Sequence, residues 1–122
     1  MNRPVAKEIT LILPWPPAVN NLYAVVRGRK ILSKRGRDYK NMVAMIAMSN
    51  HCPRVEGRIG VIISAFPPDK RRRDLDGIIK IVLDSLVDAG VMPDDSCVDF
   101  LEVTRFSPEV GGKVRVTARS SV

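Results

Sequence analysis

The sequence predicts an α+β domain, a small mixed β-sheet with two packed helices. Three observations predict it. Apolar residues recur at helical spacing in two segments, near 33–49 and 74–89. Short β-rich runs lie before, between and after those segments. Proline pairs and glycines separate the runs, as turns require. With 122 residues, 45% of them hydrophobic, the chain is long enough for one core and reads as a single domain, 1–122.

Residues 1–7 read as a loose start. Glu8–Leu13 (EITLIL) is the first expected strand. Pro14-Trp15-Pro16-Pro17 ends it, because proline removes ladder donors and fixes φ. Asn20-Asn21 suits a turn. Tyr23–Val26 and Lys30–Leu32 bracket Arg27-Gly28-Arg29 as a short hairpin with a basic tip. Ser33 is the expected N-cap of a first helix ending near Ser49, with Gly36 weakening its first turn. Tyr39, Met42, Val43, Ile46 and Ala47 form its expected core face. Ile59–Phe66 is apolar almost throughout and reads as a buried strand that Pro67-Pro68 stops. The second helix is expected from Asp74–Asp76 to Ala89, with Ile78, Ile79, Val82, Leu83 and Leu86 as its stripe and Gly90 as its stop. Val98–Phe106 and Val114–Ala118 complete the strands, joined by a turn at Pro108–Gly112.

Twenty basic against thirteen acidic residues give a net charge of +7, which favours a polyanionic partner. The charge is unevenly spread. Arg27, Arg29, Lys30, Lys34, Arg35, Arg37 and Lys40 surround one acid, Asp38. Eight of the thirteen acids fall between Asp69 and Asp99. Cys52 and Cys97 have neither metal spacing nor a disulfide framework and read as cytosolic thiols. No segment approaches the length of a membrane span and no signal-peptide layout opens the chain, so a cytoplasmic protein without a membrane partner is expected. His51 has no evident partner and reads as structural or exposed. There is no P-loop, dinucleotide fingerprint or nucleophile elbow.

The informative stretch is KRRRDLDGIIKIVLDSLVDAGVMPDD, Lys70–Asp95. Lys70, Arg71, Arg72 and Arg73 run into Asp74 and Asp76, and Asp94 and Asp95 follow one helix later. Cations recruit a polyanion and carboxylates repel one. The opposition disappears if the carboxylates hold divalent cations, so the stretch reads as a metal-dependent phosphodiester-cleaving site. In extended backbone Asp74 and Asp76 point to one side, beside a helix N-terminus that favours negative charge. Lys80 follows Asp76 by four residues and so shares its helical face. Blander readings compete at each position. Asp74 fits a helix cap, Asp94-Asp95 a solvated turn, and Lys70–Arg73 a solvated charge run. Lys80 fits an ordinary ion pair with Asp76 or Asp84, and Asp84 and Asp88 fit solvent-face helix acids. Arg27, Arg29, Lys30, Lys34, Arg35 and Arg37 would extend a phosphate track. Trp15 and Tyr23 fit either stacking on an unpaired base or anchoring of loops.

RRRDLDGIIKIVLDSLVDAGVMPDD closely resembles the centre of the RusA-type Holliday-junction resolvases, crossover-junction endodeoxyribonucleases of bacteria and prophages. That family carries an Arg-rich run, a D-x-D pair followed by Asn, a Lys four residues after the second Asp, and a later Asp-Asp. LPWPPAVNNLY resembles its Pro-Trp-Pro-Pro segment, and Gly111-Gly112 also fits. The resemblance covers nearly the whole chain. It implies Asp74, Asp76 and Asp95 as metal-binding acids with Asp94 beside them, and Lys80 as the catalytic lysine. It also implies Mg²⁺ or Mn²⁺ as cofactor, a symmetric homodimer, and paired nicks across four-way junction DNA. Gly77 stands where the family usually has Asn, and Ala18 where Ser is common. A non-catalytic basic nucleic-acid-binding module is the alternative in another class. An enzyme on small phosphoesters is a second rival, and it leaves the long basic track unexplained.

Overall fold

A computed structural model describes residues 3–121. Its elements are β1 (Glu8–Pro14), β2 (Tyr23–Val26), β3 (Arg29–Leu32), α1 (Lys34–Ser49), β4 (Ile59–Phe66), α2 (Asp76–Asp88), β5 (Val98–Arg105) and β6 (Lys113–Ser120). Two short 3₁₀ turns, Val19–Asn21 and Asp95–Cys97, lie before β2 and β5. The architecture is α+β, as the periodicities predict.

The main sheet is mixed, in the order β1-β6-β4-β5. β6 pairs antiparallel with both β1 and β4, and β5 runs parallel to β4. In β1 and β6 buried and exposed residues alternate, so one sheet face carries the core and the other is open. Ile9, Leu11 and Leu13 of β1, Val61 and Ile63 of β4, and Val114 and Val116 of β6 are buried. They form one cluster with Tyr39 and Val43 of α1 and Ile81 and Leu86 of α2. β4 is an interior strand with five of its eight residues buried, which accounts for its unbroken apolar run.

Both helices depart from the expected stripes. On α1 the buried set is Gly36, Tyr39, Val43 and Ala47, while Met42 is 45% exposed and Ile46 only partly buried. On α2 Ile81 is buried and Ile79 is only partly so. Each helix is rotated slightly from the centre of its apolar arc, because α1 meets α2 on one side and the sheet on another. Gly36 has a packing reason. A Cβ there would lie 2.6 Å from Leu32 Cδ1 and 3.0 Å from the Leu22 carbonyl oxygen. The Ser33 side chain caps α1 by accepting from Gly36 N–H at 3.1 Å.

Of the expected loose start, residues 1 and 2 lie outside the described residues, and the rest is tied down. Val5 bridges to Arg54, Ala6 N–H donates to the Arg54 carbonyl at 2.8 Å, and Arg3 donates to the Cys52 carbonyl at 2.6 Å. The β2–β3 hairpin turns on Arg27 and Gly28, both in the left-handed region at φ 52° and 74°. That is the conformation a two-residue loop needs to match strand twist.

The Pro-Trp-Pro-Pro exit is fixed to α1 by one bond. The Tyr39 hydroxyl donates to the Pro14 carbonyl at 2.7 Å, and burial of the ring pushes the phenol's pKa up. At the other side Gly112, at φ 69°, lets the β5–β6 turn close on the same segment. A Cβ there would stand 2.9 Å from Pro68 and 3.0 Å from Trp15 Cβ. Tyr39→Phe strands the Pro14 carbonyl and is expected to cost about 1–2 kcal/mol. Urea unfolding measures this as a lower midpoint at unchanged slope, and an unaltered midpoint would show that the bond does not hold the segment.

Candidate active site

The β4-to-α2 connection carries the basic run and the D-x-D pair. It leaves the end of β4 next to the end of β5, because the two strands are parallel. Loops at the carboxyl ends of parallel strands are the usual place for a site in such units. Asp69 organises the connection. Its carboxylate accepts from Arg73 at 2.7 Å and from the Arg71 backbone N–H at 2.9 Å. Arg73 also donates to the Asp69 and Arg71 carbonyls and lies over the Trp15 ring at 5.8 Å. From β5, Arg105 donates to the Arg73 carbonyl. Arg73 is therefore a keystone of the loop, whereas the sequence assigns it to phosphate. The Arg73 hydrogen bond, with the Arg71 N–H second, holds the Asp69 carboxyl down at about 2.

Two hollows flank this keystone. One, of about 230 Å³, is lined by Lys70, Arg71, Arg73, Asp74 and Arg105 among others. The other, of about 670 Å³, runs between Pro16, Pro17 and Val19 on one side and Asp76 and Gly77 on the other. Trp15, Arg73, Asp74 and Ile78 border both.

Of the eight acids between Asp69 and Asp99, most have protein partners. Asp69 holds Arg73, and Asp84 holds Lys80 at 3.2 Å. Asp88 reaches Lys40 of α1 at 3.1 Å, and Asp99 is clasped by Arg58. Asp94 accepts from the Ser96 hydroxyl, which lowers its pKa, and Asp95 lies 3.7 Å from Lys80. Asp74 and Asp76 alone among these eight have no ion-pair or hydrogen-bond partner for their carboxylates among the described residues. Asp74 is not a cap: the residue at the N-cap position of α2 is Leu75, with no side-chain cap bond. Only the Asp74 carbonyl enters the turn, accepting from Gly77 N–H at 3.2 Å.

Lys80 stands between Asp84 and Asp95. Asp84, first by its hydrogen bond and then by its charge, raises the lysine's pKa, and Asp95 adds to this. Sequence spacing offers Asp84 as a partner of Lys80, but only the fold brings Asp95 to the same ammonium. Asp95 does not line the groove beside Asp74 and Asp76. Among the described residues no three acidic, histidine or cysteine side chains gather closely enough to form a preassembled metal cluster. The donor chemistry nonetheless suits a hard divalent ion, since Mg²⁺ commonly takes one or two carboxylates and completes its shell with water and substrate phosphate. Asp74 and Asp76 meet that requirement.

The basic residues assigned to a phosphate track divide in two. Lys70, Arg72, Arg27, Arg29 and Arg35 are exposed and without a side-chain partner among the described residues. The others are engaged. Lys34 pairs with Asp38 at 2.8 Å, Arg37 donates to the Leu32 carbonyl at 2.8 Å, and Lys30 lies over the Tyr23 ring at 4.7 Å. Arg105 and Phe106, whose ring stacks on Phe66, are site-lining residues that sequence reasoning missed. Only the parallel β4–β5 pairing brings them there, and neither strand's pattern carries that direction.

The chain matches the family described as endodeoxyribonuclease RusA over residues 14–119. It belongs to that family. A protein of Enterobacteria phage HK97, named crossover junction endodeoxyribonuclease, is 33% identical over 118 residues, covering 94% of this chain and 98% of the relative. An Escherichia coli RusA of the same description is 34% identical over 109 residues, covering 88% and 91%. One from Shigella sonnei is 33% identical over 114 residues. The family match takes in both hollows and every acid of the Lys70–Asp95 stretch.

A pH prediction follows from the keystone. The folded-state pKa of Asp69 is depressed, so its stabilising contact is complete above the ordinary carboxyl value near 3.9 and is lost as pH falls through about 2. Carbon NMR titration should find the Asp69 midpoint near 2. Arg73→Ala should return it toward about 3.9. A midpoint unmoved by that substitution would refute the assignment.

Proposed function

We propose that this chain is a structure-selective DNA endonuclease that resolves Holliday junctions by paired symmetric nicks. Its cofactor is Mg²⁺ or Mn²⁺ and its working form is a homodimer. The observation that carries the reading is the pair of unpartnered carboxylates, Asp74 and Asp76, between a cationic hollow and an open groove in a chain of the RusA family. Relatives that the chain covers almost end to end are named crossover junction endodeoxyribonucleases.

Asp74 and Asp76 would hold the ion, with Asp95 as the third acid and Asp94 adjacent. The bound ion supplies phosphate neutralisation and an activated water. The chain does the remainder. Lys70, Arg71 and Arg72 draw the phosphate backbone toward the loop, and Arg27, Arg29, Lys30, Lys34 and Arg35 continue the basic surface on the hairpin and the start of α1. Lys80 stays protonated beside Asp84 and can donate to a phosphate oxygen. Recognition by backbone position suits a substrate defined by shape. A junction has two equivalent strands to cut, and a two-fold dimer presents two equivalent sites. The open sheet face, on which Ile12 is 55% exposed, is free for such pairing. No helix among the described residues is long and apolar enough to cross a membrane, and a cytoplasmic enzyme fits the reading.

A labelled four-way junction, incubated with Mg²⁺ or with EDTA beside a linear duplex of the same sequence, tests the proposal. Symmetric nicks on the junction alone, absent in EDTA, are expected. Tight junction binding without cutting in either Mg²⁺ or Mn²⁺ would instead establish the non-catalytic binding module. Asp76→Asn should abolish cutting and retain junction binding, because it removes a metal ligand and a charge that repels phosphate. Cutting at the parental rate would remove Asp76 from the site. Arg72→Ala should flatten the logarithmic salt dependence of binding by about one unit if it contacts a phosphate. An unchanged slope places Arg72 outside the interface.

A further inference from the structure

We propose that the groove between Pro16-Pro17 and the first turn of α2 receives one unstacked nucleobase of the strand to be cut. The inference rests on the junction-resolving reading above and adds a site to it. The two hollows adjoin at Trp15, Arg73, Asp74 and Ile78, which line both. Their chemistry differs on the two sides. The smaller carries Lys70, Arg71 and Arg105 and suits phosphate. The larger has no cation but Arg73, and its far wall is Pro16, Pro17, Ala18 and Val19. A nucleotide has the same division, a charged phosphate on one side of the sugar and a flat, largely apolar base on the other.

The groove has room for a base. Its volume of about 670 Å³ falls within the range of roughly 300–1,000 Å³ usual for small-molecule sites. Consecutive prolines form a stiff wall that needs no hydrogen bond along its edge. Apolar and aromatic surfaces accept any base by its face. Bases at a branch point have lost a stacking neighbour, so removing one from the stack costs least there.

Gly77 decides the depth. A Cβ at this position would meet nothing within 4 Å, so a longer side chain would enter open space at the groove wall. Its backbone is helical, so a side chain can be added without strain. Gly77 therefore sets which bases fit, and a larger residue there narrows the site.

The test uses four-way junctions carrying 2-aminopurine at each position flanking the branch, titrated with the full chain in EDTA so that nothing is cut. The emission at one position beside the scissile phosphate is expected to rise several-fold on binding, as the base leaves the stack. Gly77→Leu should abolish the rise while junction affinity is kept, and Gly77→Ala, which adds little bulk, should retain it. No rise at any position overturns the pocket, as does a rise that survives Gly77→Leu or is lost equally in Gly77→Ala. A parallel incubation with Mg²⁺ separates the two readings. Cutting by the parental chain without an emission change overturns the pocket alone, whereas neither cutting nor junction preference overturns both.

Discussion

The arrangement of the site depends on the ion pair between Asp69 and Arg73. It spans four residues of irregular chain and fixes a guanidinium at the meeting point of three segments. Arg73 touches the Trp15 ring from the Pro-rich exit, two carbonyls of its own loop, and through its own carbonyl the Arg105 side chain of β5. It braces the loop that carries Asp74 to the entrance of α2, where Asp76 begins the helix. The pair is only partly buried, and a single ion pair so placed contributes little to global stability. Its importance is local: several bonds converge on one planar group, and a guanidinium offers five donors in a fixed fork.

A second consequence of charge pairing concerns what is left over. In a chain with net charge +7, five of the eight acids of the central stretch are paired with a cation and a sixth, Asp94, with a hydroxyl. Two carboxylates that stay unmatched amid that excess of cations are conspicuous, since nearby bases could have claimed them. Lys80 is restrained from doing so by Asp84 and Asp95, which hold its ammonium farther along α2. Asp84 therefore keeps the lysine in reach of the site without letting it close on Asp76, four residues back.

The fold was legible in the sequence to the extent that periodicity and turn chemistry carry it. The Ser33 cap, the Ile59–Phe66 strand and the end of α2 before Gly90 are local features, and each lies where spacing and residue type place it. Gly90 does adopt a left-handed φ of 78°. The rotation of both helices was not legible, because which flank of an apolar arc faces inward depends on the neighbouring element. The aspartates and lysine of the site were legible as a motif. The keystone role of Arg73 was not, since a guanidinium reads as a phosphate ligand until its partners are seen. Arg105 was invisible for a topological reason: it joins the site only through parallel pairing of β4 and β5, and strand direction is not written in either strand's pattern.

The order of strands in the sheet bears on how the protein comes into being. β6, formed by Lys113–Ser120, is an interior strand that separates β1 from β4. Glu8 at the start of β1 sits opposite Arg119 near the end of β6. Until that last strand has left the ribosome, β1 has no partner and β4 lacks one of its two. Pairings so distant in sequence also close slowly. The Pro-rich wall and the loop above α2 are attached to β1 and β4 respectively. A nascent chain thus carries the carboxylates and the basic run without the sheet that brings them together, and the two halves of the site meet only after synthesis has passed residue 120.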